Sequence, residues 1–502
     1  MLSRLKKNIA LLCFSCCLLL LSFYYNYHQI IFKHPESQHI WRQTDGAMFA
    51  YNYYKYDANF FCPRLNNLIG IDGKQGAEFP LVYYVAAIMY KIFGFHDWFI
   101  RLIHSSIFFL GLFYLFKLSQ KIFKHNFYAI YLPLIVFSSP LIVYYANNFL
   151  PDVAAFSLAI ISVYYYILYK ENAQKRNLFI FSICSSIAGL LKITFLLSGG
   201  IILLFELINY KQLKYDFKII IYFLFPFFIA FCWYFWIGIY NHINENNYFL
   251  LSIKSIFESD KEDIEYCLTR FYNEWRLVIY HAYFWIAIIA SLLFNFIVAF
   301  KKEWNLFFLQ LILFFASIAN YLLFFVQFIH HDYYFISIVL NLVGTIFISI
   351  YLYCKYYTTF SNHYITKSLL VTLLLFNIYQ TKKIMNERYI HFVWDDQYET
   401  YFEMSSYLRS IGISEEEKIV SLGEYSSGIS LYFMQNRGWN GYDWTPTKVN
   451  DIVDNQLINN YIKNGAKYVV IKNDAKEKFN WLLPRLNQMG TFKEVTVFKI
   501  NV

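Results

Sequence analysis

Arg42 and Asp45 stand one helical turn apart in HPESQHIWRQTDGAMFAYNYY, residues 34–54, among Trp41, Phe49, Tyr51, Tyr53 and Tyr54. Similar groups recur along the chain: Glu78 in GAEFPLVYY, Arg101 in RLIHSSIFFL, Asp152 in NNFLPDVAAFSL, Lys192 in IAGLLKITFLLSGG, and His330, His331, Asp332 and Tyr333 in QFIHHDYYFI. A carboxylate can take the proton of an incoming hydroxyl, and cations with phenols can hold a phosphate. Taken singly, most have ordinary explanations. Asp45 can cap a helix or pair with Arg42, Glu78 can sit at a helix N-terminus where the dipole favours it, and an Asp after Pro151 is normal helix-start chemistry. Lys192 is harder to explain, because a lone Lys between apolar runs has little room to snorkel unless a helix ends there. An interfacial aromatic belt explains the tyrosines of QFIHHDYYFI but not HHD. Neither GxxxxGK[ST] nor GxGxxG occurs, so nucleotide chemistry has no support.

The elements that position these groups follow from composition. The 502 residues are 58% hydrophobic and 15% charged, which excludes an ordinary soluble surface and predicts a polytopic membrane protein. The 54 Phe and 47 Tyr far outnumber 18 Gly and 9 Pro, and Tyr and Trp suit a bilayer interface. The net charge of +9 is dispersed in short clusters between apolar runs, a topology signal that excludes a nucleic-acid footprint. MLSRLKKN precedes an apolar stretch of spanning length with no small-residue cleavage site, so an uncleaved signal anchor is expected.

Basic clusters at 117–126, 169–177, 209–218, 301–303 and 355–367 fall in every second gap and mark cytoplasmic loops. The alternate gaps, including 33–97, 241–279 and HHDYY, then face outward. About 11 transmembrane helices result, with the N-terminus cytoplasmic and residues 381–502 extracytoplasmic. EFPLVYYVAAIMYKIFG (78–94) is short and holds Pro80, which predicts an outer juxtamembrane helix lying in the interface. These ionisable groups all collect at the outer side, where positive-inside physics alone would not put the cations.

Past residue 381 the pattern changes. Strands are predicted at 417–425, 466–473 and 493–501 and helices at 449–465 and 477–490, giving a small α/β domain. Cys13 and Cys16 form a CxxC inside an apolar helix, where packing is expected and metal binding is not. Cys62 and Cys267 both fall in outer loops and could pair, although their spacing gives no support for it.

The order WRQTDGAMFA, EFPLVYY, RLIHSSIFFLGLFYLF, LPDVAAFSL, LLKITFLL and HDYYFI over residues 1–380 resembles the GT-C membrane glycosyltransferases. It is most similar to glycosyltransferase family 39, the PMT-like branch of protein O-mannosyltransferases and lipid A aminoarabinose transferases. The resemblance implies a GT-C-like transmembrane domain over 1–380, with Asp45 as the catalytic residue and Glu78 lining its pocket. The Lys that follows this Glu in aminoarabinose transferases is Phe79 here. Lipid-phosphate binding would therefore fall to Arg42, Lys192, His330 and His331, with Arg101, Asp152, Asp332 and Tyr333 nearby.

The implied reaction transfers a sugar from a polyprenyl-phosphate-linked donor to a glycan, lipid A or protein acceptor on the outer face of the cytoplasmic membrane. It needs no nucleotide and no cofactor; some relatives use a divalent metal, but no ligand set stands out. A transporter or flippase of lipid-linked sugars is a rival, but such proteins tend to show repeated halves and Gly- or Pro-broken helices, and no repeat is visible. A polysaccharide polymerase or ligase is nearer, though those enzymes concentrate key residues in a late loop, and here the first loop is best equipped.

Overall fold

The computed structural model describes residues 2–208, 219–246, 248–249, 253–390, 396–424, 426–440 and 455–501. The basic cluster 209–218 and the start of the helix predicted at 449–465 lie outside these residues. Two compact units form: Met1–Lys33, Arg101–Tyr234 and Ser252–Glu387 make the first, and His34–Ile100, Phe235–Leu251 and Arg388–Val502 the second.

Among the described residues six helices are long and apolar enough to cross a membrane: Trp98–Phe123, Asp152–Asn172, Ile219–Ile243, Ala282–Lys302, Trp304–Leu323 and Asp332–Tyr356. Asn126–Val136 and Pro140–Ala146, bent by 74°, make a seventh if they count as one span. Proline explains the bend. Pro133 removes a helical donor, and Pro140 restarts the helix behind Ser139, whose hydroxyl accepts from the Ile142 N–H. Asn8–Tyr24 and Ile193–Ile208 are shorter apolar helices.

Apolar packing alone would leave such helices free to slide, and a polar clamp fixes three of them in the first unit. Asn295 donates to Gln310 Oε1 and the Thr345 carbonyl, both at 2.8 Å. Gln310 donates to Thr345 Oγ1 at 3.1 Å, and Ser349 donates to Asn295 Oδ1 at 2.8 Å. Interhelical hydrogen bonds of this kind contribute about 0.6 kcal/mol each in membranes.

The second unit is built on a mixed five-stranded sheet. Its strands are β1 (Lys418–Leu422), β2 (Gly438–Asn440), β3 (Ala466–Lys472), β4 (Leu486–Phe492) and β5 (Val495–Ile500), in the order β2-β1-β3-β5-β4. β2, β1 and β3 run parallel, while β5 pairs antiparallel with β3 and β4. Val420, Leu422, Val469, Ile471 and Phe498 build its core with Ile458 and Tyr461 from the helix Asn455–Lys463. β1, β3 and β5 fall where alternation predicts strands.

The predicted helix 477–490 is overturned. Residues 473–479 and 483–485 form 3-10 turns, and Leu486–Phe492 is strand β4. Pairing along β5, from Leu486 opposite Ile500 to Phe492 opposite Val495, outweighs a local sequence with little β-propensity.

The first long connection also joins this sheet. The Leu68 N–H donates to the Gly438 carbonyl at 2.8 Å, the Gly438 N–H donates to the Asn66 carbonyl at 3.1 Å, and Leu68 enters the sheet's core. The β2 edge is thereby covered, as exposed strand edges generally require. Gly438 is obligatory here, because a Cβ would lie 1.8 Å from the Ile419 carbonyl oxygen.

Candidate functional site

Asp45 lies on the helix Ile40–Lys55, which packs on the short helix Leu81–Phe93. Gly46 permits that packing. A Cβ there would come within 2.6 Å of the Tyr83 ring, so any side chain would displace that buried ring. The helix Leu81–Phe93 buries Val82, Tyr83, Ala86, Ala87 and Tyr90 and leaves Val85, Ile88, Ile92 and Phe93 exposed, a two-sided pattern suited to an interface.

Asp45 is 2% exposed. Arg42 Nη1 lies 3.7 Å from Asp45 Oδ2, and Arg42 Nη2 pairs with both oxygens of Glu78. The Arg42 guanidinium also lies 5.2 Å from the Phe249 ring centre, a cation–π distance. From residues far along the chain, Tyr248 donates its hydroxyl to Asp45 Oδ1 and Oδ2, both at 3.2 Å. Ser427 in turn donates to the Tyr248 oxygen at 2.5 Å.

Burial pushes Asp45 up to about 7, against the lowering effects of Arg42 and the Tyr248 hydrogen bond, with Glu78 pushing it further up. A carboxyl titrating near neutrality is what general acid–base chemistry needs. Tyr248 and Ser427 carry no signal in their local sequence, and only the fold brings them to Asp45.

A second cluster forms inside the first unit. Lys192 terminates the helix Lys175–Leu191 with extended backbone, before a 3-10 turn at Ile193–Phe195, which explains how a Lys stands between apolar runs. Its Nζ lies 3.2 Å from Asp152 Oδ1 and 4.6 and 4.0 Å from the ring centres of Tyr333 and Tyr334. His331 stacks on Tyr333 at 5.1 Å, and Tyr145 donates to the buried Asp332 at 2.5 Å. His330 is exposed, with its ring 6.4 Å from that of Tyr266.

Arg101 is fully buried. It donates to the backbone carbonyls of Lys33 and Asn147, with the Phe149 ring centre 4.7 Å from its guanidinium. All eight cysteines are free thiols, and Cys267 is buried with its sulfur 3.4 Å from the Tyr321 hydroxyl. No group of three or more His, Cys, Asp or Glu able to hold a metal ion occurs among the described residues.

Residues 77–236 match the family model described as dolichyl-phosphate-mannose-protein mannosyltransferase. No curated protein matches the sequence. Among solved structures, the chain is similar to ArnT from Cupriavidus metallidurans bound to undecaprenyl phosphate, with a TM-score of 0.63 at 11% identity over 98% of each chain. It is also similar to the oligosaccharyltransferase AglB from Archaeoglobus fulgidus, in complex with an inhibitory peptide and a dolichol-phosphate. There the TM-score is 0.58 at 11% identity, over 94% of this chain and 70% of that one. The arabinofuranosyltransferase AftD from Mycobacteria gives 0.57 at 12% identity over 97% of this chain and 40% of its own length.

Proposed function

From the premise that this chain has the fold of the GT-C glycosyltransferases, we propose that it transfers a sugar from a polyprenyl-phosphate-linked donor to a glycan, lipid or protein acceptor at the outer face of the cytoplasmic membrane. The observation that carries this reading is Asp45: a buried carboxyl held up to about 7 between Arg42 and Tyr248. The acceptor hydroxyl attacks the anomeric carbon, Asp45 takes its proton, and the bond from that carbon to the phosphate oxygen breaks. The lipid phosphate leaves with its negative charge, and fixed cations lower the barrier to its departure. Arg42, in the same compact unit as Asp45, is the proposed cation, and binding of the donor phosphate by Lys192 is a separate proposal. Supporting the donor class, two proteins of this fold, ArnT and AglB, are described as bound to undecaprenyl phosphate and dolichol-phosphate.

Mass spectrometry of glycolipids and envelope glycans from a deletion strain tests the reading. The expected result is loss of one sugar from an acceptor together with accumulation of its polyprenyl-phosphate form. An unchanged set of glycans with no accumulating donor would overturn it. The proposed topology has about eleven spans and places the segment from about 381 outside. A fluorescent reporter that matures only in the cytoplasm, fused to the C-terminus, is accordingly expected to stay dark in whole cells. A bright signal would invert the loop assignment.

A further inference from the structure

The contact between Tyr248 and Asp45 is two-sided, since one phenol hydroxyl reaches both carboxylate oxygens at 3.2 Å. The phenol is itself oriented. It accepts from Ser427 at 2.5 Å, so its own proton is directed to the carboxylate. Ser427 is fixed in turn from the sheet. Asn67 donates to the Ser427 carbonyl at 2.6 Å and to Asn440 Oδ1 at 2.7 Å, and Asn440 ends strand β2. Asn440 also donates to the Ser426 carbonyl. A chain of hydrogen bonds thus runs from the end of β2 through Ser427 and Tyr248 to Asp45, all within one compact unit.

We propose that Tyr248 is a positioning residue that sets the protonation of Asp45, and that the α/β segment controls it through Ser427. The role in turnover rests on Asp45 being the base; the control of its titration does not. The groups facing Asp45 are Arg42 from its own helix, Glu78 from the segment before the next helix, and Tyr248. Arg42 and Tyr248 favour the carboxylate, and Glu78 opposes it. Removing the phenol hydroxyl therefore favours the protonated acid, and the titration of Asp45 moves to higher pH. A hydrogen bond to a charged group corresponds to about a tenfold change in the ionisation constant, or about one pH unit.

The test is infrared difference spectroscopy of the carboxylic-acid C=O band of the full-length protein across pH, with Asp45→Asn as the blank that identifies the Asp45 signal. Tyr248→Phe keeps the ring that packs edge-on against Phe249 at 4.7 Å and is expected to raise the midpoint by about one unit. Ser427→Ala leaves the phenol in place and is expected to move the midpoint in the same direction by less, which keeps the proposal testable if the first variant fails to fold. A transfer assay should then show the acidic limb of the pH–rate profile displaced by the same amount. An Asp45 midpoint unchanged in both variants overturns the proposal. A shifted midpoint with an undisplaced rate profile upholds control of Asp45 and instead overturns Asp45 as the base.

Discussion

Asp45→Asn is expected to insert and fold normally, to bind a polyprenyl-phosphate sugar, and to lose transfer activity by about 100- to 10,000-fold, the usual cost of losing a general base. Asn retains the size of Asp and most of its hydrogen bonding but cannot take up a proton at neutral pH. An ion pair with Arg42 that served only stability would instead leave turnover intact. At 3.7 Å the Arg42 contact is loose, and that guanidinium is shared with Glu78, so the pair alone gives little reason to bury a carboxylate. Near-wild-type transfer by Asp45→Asn falsifies the assignment.

The same variant has a second readout. The folded carboxyl is held at about 7, well above its ordinary unfolded value, so the folded state binds the proton more tightly. Its contribution to stability is complete below the unfolded pKa of about 3.9 and is lost as pH rises through about 7. Thermal unfolding in detergent should therefore show wild type losing stability over that window relative to Asp45→Asn. Parallel curves would mean that burial does not hold the carboxyl in its acid form.

Local spacing made half of this site legible. Arg42 and Asp45 lie three residues apart on one helix, and the apolar run after Pro80 marks the helix that packs beside them. The partners that complete the site come from elsewhere in the chain: Tyr248 is 203 residues from Asp45, and Ser427 is 179 residues beyond Tyr248. No periodicity links such positions, because the contacts exist only once the first connection has closed on the sheet through Asn66, Asn67 and Leu68. Arg101 shows a related difficulty. Two of its donors go to the backbone carbonyls of Lys33 and Asn147, and carbonyl partners have no signature in sequence. Strand β4 reads as helix in the sequence because its apolar residues Leu486, Met489 and Phe492 recur every third position rather than alternating, and its strand state comes from pairing with β5.

Lys192 presents the second large expected effect, and the structure changes how it has to be measured. The sequence alone suggests that Lys192→Met would weaken donor binding in an otherwise intact protein. However, the Lys192 side chain is 15% exposed and 3.2 Å from an Asp152 side chain that is 3% exposed, so the substitution takes an ammonium away from a buried carboxylate. Breaking one side of such a pair costs about 3–5 kcal/mol, and Lys192→Met alone is expected to unfold at markedly lower temperature in detergent. Lys192→Met with Asp152→Asn removes both charges and is expected to recover most of that loss. The double variant then isolates ligand binding from stability. If Lys192 holds the lipid phosphate, the affinity of the double variant for undecaprenyl phosphate falls by about 10- to 150-fold, the equivalent of one charge-assisted hydrogen bond. Tyr333 and Tyr334, whose ring centres lie 4.6 and 4.0 Å from its Nζ, orient the ammonium in either case, so their presence does not discriminate. Equal affinity in wild type and a well-folded double variant would make Lys192 the structural counter-ion of Asp152, and phosphate binding would then have to come from Arg42 or from His330 and His331.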